Sequence, residues 1–188
     1  MATALFIKEQ FIKDNTNIDG NVDDKYLTNT IADAQKIHIL PILGTALYNE
    51  VSAQIIAGTT TSLNQTLLND YIQDALKYWV LYEGMDVFHY KVTNKGIETK
   101  SSDNSQPIQQ VDVIRLKDSV KDKAEFFSQR VTKYLLAQQL VYPLYNAPGS
   151  SIDTIIPNKN NYETGWNLDV DRNTYGLPID YGKRNYQP

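Results

Sequence analysis

The chain reads as an all-α protein: an antiparallel helical bundle with two long helices, a projecting loop or short hairpin between them, and an extended C-terminal arm. Three observations predict this. Apolar residues recur at three- and four-residue spacing from Asp23 to about Tyr142. The stretch Thr93–Gln110, between the two longest periodic runs, is rich in Ser, Asn, Gln, Lys and Asp. From Asn146 onward the periodicity stops. At 188 residues, with 41% apolar and 21% charged side chains, the chain has the size of one domain with an appendage, divided as a helical domain 1–145 and an arm 146–188.

Each element follows from local signals. Leu5 to Lys13 carries Leu5, Phe6, Ile7, Phe11 and Ile12, which fits a short helix or an extended arm equally. After the polar turn Asn15 to Gly20, Asp23 is placed to cap a helix, with Val22 and Leu27 at hydrophobic-staple spacing. That helix is expected to run to about Leu40 with Leu27, Ile31, Ala34, Ile37 and His38 on one stripe, and to kink or break at Pro41, which lacks an N–H and crowds the preceding turn. Thr45 to Ala57 follows as a short helix with Leu47, Val51 and Ile55 on one face, and Gly58 is its left-handed stop.

Ser62 and Gln65 have capping-box spacing and open a helix from Asn64 to Lys91, roughly 42 Å at 1.5 Å per residue. Its apolar face reads Leu68, Ile72, Ala75, Trp79, Tyr82 and Met85. Gly84 within it implies the close approach of a neighbouring backbone or a local bend. The loop Thr93–Gln110 carries a short strand or hairpin through Gly96 to Thr99. A second long helix, Asp112 to Tyr142, sets Leu116, Val120, Ala124, Phe127, Val131, Leu135 and Gln138 on one stripe and packs beside the first.

The last 43 residues hold four Pro, four Gly and seven Asn, yet keep Tyr162, Trp166, Tyr175, Tyr181 and Tyr186. Disordered segments are poor in aromatics, so these residues are expected to bury their rings on a surface supplied by another subunit. Packing back on the chain's own helices is the rival reading.

Composition removes whole classes of chemistry. With no Cys there is no disulfide, thiolate nucleophile or Cys-based metal site, and two His leave little for imidazole ligation. A net charge of −4 gives no electrostatic footprint for gripping phosphate backbones. No run approaches the roughly 20 apolar residues of a membrane span, and Met1 to Gln10 has no secretory leader, so a soluble protein made in a cytoplasm is expected.

The run Ala34 to Glu50 carries Leu40-Pro41-Ile42-Leu43-Gly44 followed by Leu47 and Tyr48. Here it resembles the helix-turn-helix opening of head-to-tail connector (adaptor, or ring) proteins of tailed bacteriophages, most like the neck ring proteins of crAss-like phages, and the likeness extends in outline over positions 5 to 145. What the resemblance implies is a structural virion protein, not an enzyme. It would be one helical subunit of a dodecameric homo-oligomeric ring in the phage neck, joining portal and head to tail proteins, with genomic DNA only as cargo passing through, no cofactor and no membrane. Made in the host cytoplasm, it would reside in the virion.

Candidate sites each have a plainer reading beside the functional one. Asp169, Asp171, Asn173 and Asp180 copy several ligand spacings of a calcium loop, but Thr174 stands where the tight turn wants Gly and no amphipathic helices flank the run. A cytoplasmic helical binding module, calcium-dependent through these residues, is the alternative function, and an Asx-rich turn is the plainer account. Asn15, Asn17, Asp19 and Gly20 repeat the early half of that pattern, but Tyr26 stands at the twelfth position, so a plain interhelical turn is expected. Glu83, Asp86 and His89 lie on successive turns without a further ligand, and His38 and His89 read as structural histidines. Asp23 and Asp24 read as helix N-terminal charge. Arg115, Lys117, Lys121, Lys123, Arg130 and Lys133 alternate with Asp112, Asp118, Asp122 and Glu125, a mixed-sign solvated or intersubunit face. Tyr78, Trp79 and Tyr82 read as helix packing.

Overall fold

The structure, a computed structural model, describes residues 4–94, 96–99, 110–149, 151 and 153–159, with the backbone alone for 89–93, 96–99 and 110. It is an all-α bundle with one hairpin. The aromatic positions Tyr162, Trp166, Tyr175, Tyr181 and Tyr186, and the run Asp169, Asp171, Asn173 and Asp180, lie outside the described residues.

The helical reading of the N-terminus holds for its second half: residues 4–8, with bends at Phe6 and Ile7, lie outside any helix and α1 (Glu9–Asn15) follows. The first part is held by a buried side chain. Gln35 accepts a hydrogen bond from the Phe6 N–H at 2.7 Å and donates to the Ala4 carbonyl at 3.0 Å, so Phe6 and Ile7 are tied against the core. In α2 (Asp24–Ala34) Asp23 caps as expected, accepting from the Lys25 N–H. Leu27, Ile31 and Ala34 are buried.

A π turn, Gln35–Ile39, comes next, in which the Leu40 N–H reaches back to the Gln35 carbonyl. The extra residue rotates the buried stripe. Gln35 and Ile39 therefore face the core, and Ile37, expected on the stripe, is 55% exposed. α3 (Leu40–Ala57) continues directly through Pro41, so the expected break there is displaced: it falls at Gly44, with φ 74° and ψ 159°. The wider turn just before the proline accommodates its ring within the helix. Gly58 ends α3 in the left-handed conformation, φ 66°, as its position predicts.

The next cap is Thr61 rather than Ser62, its side chain accepting from the Asn64 N–H. α4 (Ser62–Leu67), a second π turn (Leu68–Ile72) and α5 (Gln73–His89) run on as one rod. The rod ends at His89, short of the expected Lys91, because the chain turns into an antiparallel hairpin: β1 (Tyr90–Thr93) pairs with β2 (Gly96–Thr99), Thr93 opposite Gly96. Gly84 meets neither a neighbouring backbone nor a bend. The ring of Phe88, one turn on, lies where its Cβ would be, with Cε2 2.6 Å away.

α6 (Gln110–Ala137) is 28 residues long and packs antiparallel to the rod: Tyr71 stacks on Tyr134, Tyr78 on Phe127, and Trp79 Nε1 donates to Ser128 Oγ at 2.8 Å. Val120, Ala124, Val131 and Leu135 are buried as predicted, whereas Leu116 is 50% exposed. α6 stops at Ala137, before the expected Tyr142, and gives way to a turn over 138–141; Tyr142, ahead of Pro143, is itself outside helical geometry (φ −114°, ψ 73°). A turn through Tyr142, whose hydroxyl donates to the Leu63 carbonyl, leads to α7 (Pro143–Asn146).

The stretch Asp24–Ala57 is long and apolar enough, by length and composition alone, to cross a bilayer. Gly44 cuts it in two, and Leu27, Ile31, Ile39, Leu43, Leu47 and Val51 supply the bundle core.

Candidate assembly surfaces

The break in α3 is the most constructed feature of the fold. A helix interrupted at Gly44 loses hydrogen-bond partners on both sides, and buried backbone groups must find replacements. The root of the C-terminal arm supplies them. The Thr45 N–H donates to the Ile155 carbonyl at 3.0 Å, the Ile155 N–H donates to Thr45 Oγ1 at 2.8 Å, and the Asn158 N–H donates to the Pro41 carbonyl at 2.8 Å. Pro157 is buried and occupies the space a side chain at position 44 would need: a Cβ there would lie 2.6 Å from its Cγ. Lys159 reinforces the dock, donating to Asn146 Oδ1 at 3.2 Å with its ammonium 5.1 Å from the centre of the Tyr145 ring. The described part of the arm therefore lies on its own helices.

The Tyr145 ring beneath is fully buried, and its hydroxyl has no hydrogen-bond partner among the described residues. Burial pushes its pKa up to about 12. Tyr142 is shifted upward as well, first by burial, then by the hydroxyl of Tyr134 at 3.4 Å and its charge, with a smaller push from Tyr71.

His38, on the first π turn, stacks on Trp79 with ring centres 3.6 Å apart and planes 7° from parallel, and its Nε2 lies 2.8 Å from Glu83 Oε1. It is a satisfied structural histidine that ties the π turn to α5. Asp86 instead meets Lys117 of α6 at 2.6 Å, so Glu83 and Asp86 serve different elements and do not converge. The side chain of His89 lies outside the described residues. Among the described residues no group of three His, Asp or Glu could hold a metal ion.

Along the α5–α6 seam, cations cover aromatic rings: Arg130 over Tyr71, Lys77 over Tyr78 and Phe127, Lys117 over Tyr82. Arg130 and Lys77 share Asp74, and Lys121 pairs with Glu125. Of the mixed-sign face expected from the sequence, Lys121 thus pairs with Glu125 along α6, whereas Lys117 and Arg130 pair across to the other rod. Beyond the seam, the first turns of α6 leave Val111, Ile114 and Leu116 at least half exposed, pointing in different directions around the helix. Farther along, Phe126 is 65% exposed.

Two features escaped the sequence reading: the buried role of Gln35 and the dock of 153–159 at Gly44. The second had a signal, since a glycine three residues after a mid-helix proline marks a site of close approach. No curated protein and no solved structure matches the chain. A family model, described as a family of unknown function (DUF6712), matches residues 39–155. That span opens at the end of the first π turn and closes on Ile155, the residue that caps the break at Gly44. The chain belongs to this family of unknown function, DUF6712.

Proposed function

We propose that the protein is a structural subunit of an oligomeric ring in the neck of a tailed bacteriophage, joining portal and head to tail, and that it has no catalytic role. The observation that carries this reading is the exposed end of α6. Val111, Ile114 and Leu116 stand exposed among the charged Asp112, Arg115 and Lys117, and exposed apolar side chains gathered at one end of a helix mark a surface that a neighbour can cover. Head-to-tail contacts, one patch of a subunit against a different patch of the next, close into a ring and give such cover. The resemblance at Leu40 to Tyr48 supplies the kind of ring, with twelve copies and DNA only as cargo, and the net charge of −4 suits a protein that does not hold nucleic acid.

Mass spectrometry of purified particles tests the reading. The chain is expected in the virion in fixed ratio to the portal protein, with cross-links from residues 111–116 to another copy. Its absence from particles that contain portal and tail proteins would refute the assignment.

A further inference from the structure

We infer that the cleft at Gly44 is a clip built to take residues 153–159 of a second copy of this chain, so that subunits are linked by exchanging the roots of their arms. Three observations point there. First, the clip is where the break is repaired: without a chain segment across it, the Thr45 N–H and the Pro41 carbonyl lose the protein partners that the break denies them within the helix. Second, among the described residues the contacts that fill it are made by residues 153–159, and none by 147–149 or 151, so the same contacts form whichever copy supplies the segment. Third, the described start of the connection from α7 leaves room for redirection. Ala147 and Gly149 are exposed, Gly149 has φ 90°, and a Cβ on it would meet nothing within 4 Å.

When one set of contacts can be made within a chain or between chains, the hinge and the concentration decide which form is populated. Docking also leaves Ile156 71% exposed and Ile155 40% exposed, apolar surface that the body of a neighbour would cover. An exchanged root carries residues 160–188, with their aromatics, onto the neighbouring subunit. This deepens the ring reading, but it is a property of the purified chain and needs no virion.

The 188-residue chain has no cysteine, so introduced thiols are unique. Chains carrying Thr45→Cys are mixed with chains carrying Ile155→Cys, unfolded and refolded together at high concentration, and joined with a short bis-maleimide. A dimer-sized product from the mixture, absent from either variant alone, is expected; a product confined to the doubly substituted chain, always of monomer size, would overturn the proposal. Should the thiols react poorly, sedimentation decides. Deleting Pro148 and Gly149 from the full chain shortens the hinge and is expected to double the mass or more while the Thr45 amide stays protected from hydrogen exchange. A monomer with an unprotected Thr45 amide would overturn it. Absence of the protein from virions would sink the neck assignment and leave either result standing.

Discussion

Replacing Gly44 by alanine tests the central packing claim. The backbone there has φ 74° and ψ 159°, a region reached almost only by glycine, and holding an alanine in such a conformation costs about 1–3 kcal/mol. The added Cβ would lie 2.6 and 2.7 Å from Pro157 Cγ and Cδ and 3.1 Å from the Ile155 carbonyl oxygen. Neither a proline ring nor a backbone oxygen can yield by rotating, so the arm root must lift. Lifting it breaks the bonds between Thr45 and Ile155 and between Pro41 and Asn158, each contributing about 0.5–1.5 kcal/mol. With three such bonds the loss is about 2.5–7.5 kcal/mol, a large part of an ordinary domain's stability of about 5–15 kcal/mol. Gly58→Ala is the internal reference: φ is 66° there too, but nothing lies within 4 Å of its Cβ, so only the left-handed cost of about 1–2 kcal/mol applies. The assay is urea denaturation of both variants, with hydrogen exchange at Thr45 and Asn158. Equal costs for the two substitutions, or undiminished protection at Thr45 in Gly44→Ala, would refute the reasoning.

Gln35→Leu leaves the Phe6 N–H and Ala4 carbonyl without their buried partner; a loss of about 2–4 kcal/mol is expected in denaturant melts, with faster exchange of the Phe6 amide. Tyr145→Phe removes a buried hydroxyl that has no partner among the described residues and should leave the melting temperature unchanged or raise it, by up to about 1 kcal/mol of stability. The raised pKa of Tyr145, about 12, means that its neutral form is favoured by folding. That contribution is complete below about pH 10 and is lost as pH rises from about 10 towards 12, so melting temperature should fall across that window, and fall less in Tyr145→Phe. Ending the chain after Lys159 should leave the melting temperature of the bundle intact, whereas ending it after Pro148 should lower stability by about 2–4 kcal/mol through loss of the clip contacts.

The helices were legible because their apolar spacing is regular: Leu27, Ile31 and Ala34, and Val120, Ala124, Val131 and Leu135, are buried where the pattern places them. The shifted stripe and the displaced break share one cause. Each π turn inserts a residue into a 3.6-residue rhythm, which a reading by threes and fours cannot register, so the stripe moved from Ile37 to Ile39 and brought a glutamine into the core. Pro41 was read by its usual effect, although the turn before it changes the ladder into which it fits. The histidine was read as structural, but its stack on Trp79 and its contact with Glu83 join positions 45 or fewer residues apart that no local pattern relates. The dock of Pro157 against Gly44 lies farther still from local reach: a gap on one element matched by a ring on another is visible only once the chain has closed.

That closure changes what the arm can be. Composition places the boundary of the helical domain near Tyr145, but residues 153–159 replace hydrogen bonds that a broken helix would otherwise lack, so in energetic terms they belong to the bundle. A segment whose removal destabilises the bundle is part of the folding unit, whatever its sequence resembles. The family match agrees in extent, ending on Ile155 rather than at the last helix. Any assembly role of the arm therefore starts from a root fixed at Gly44. The contrast between the two truncations then separates structure from association: loss of assembly with an unchanged melt, on ending the chain after Lys159, can only come from the residues beyond the clip.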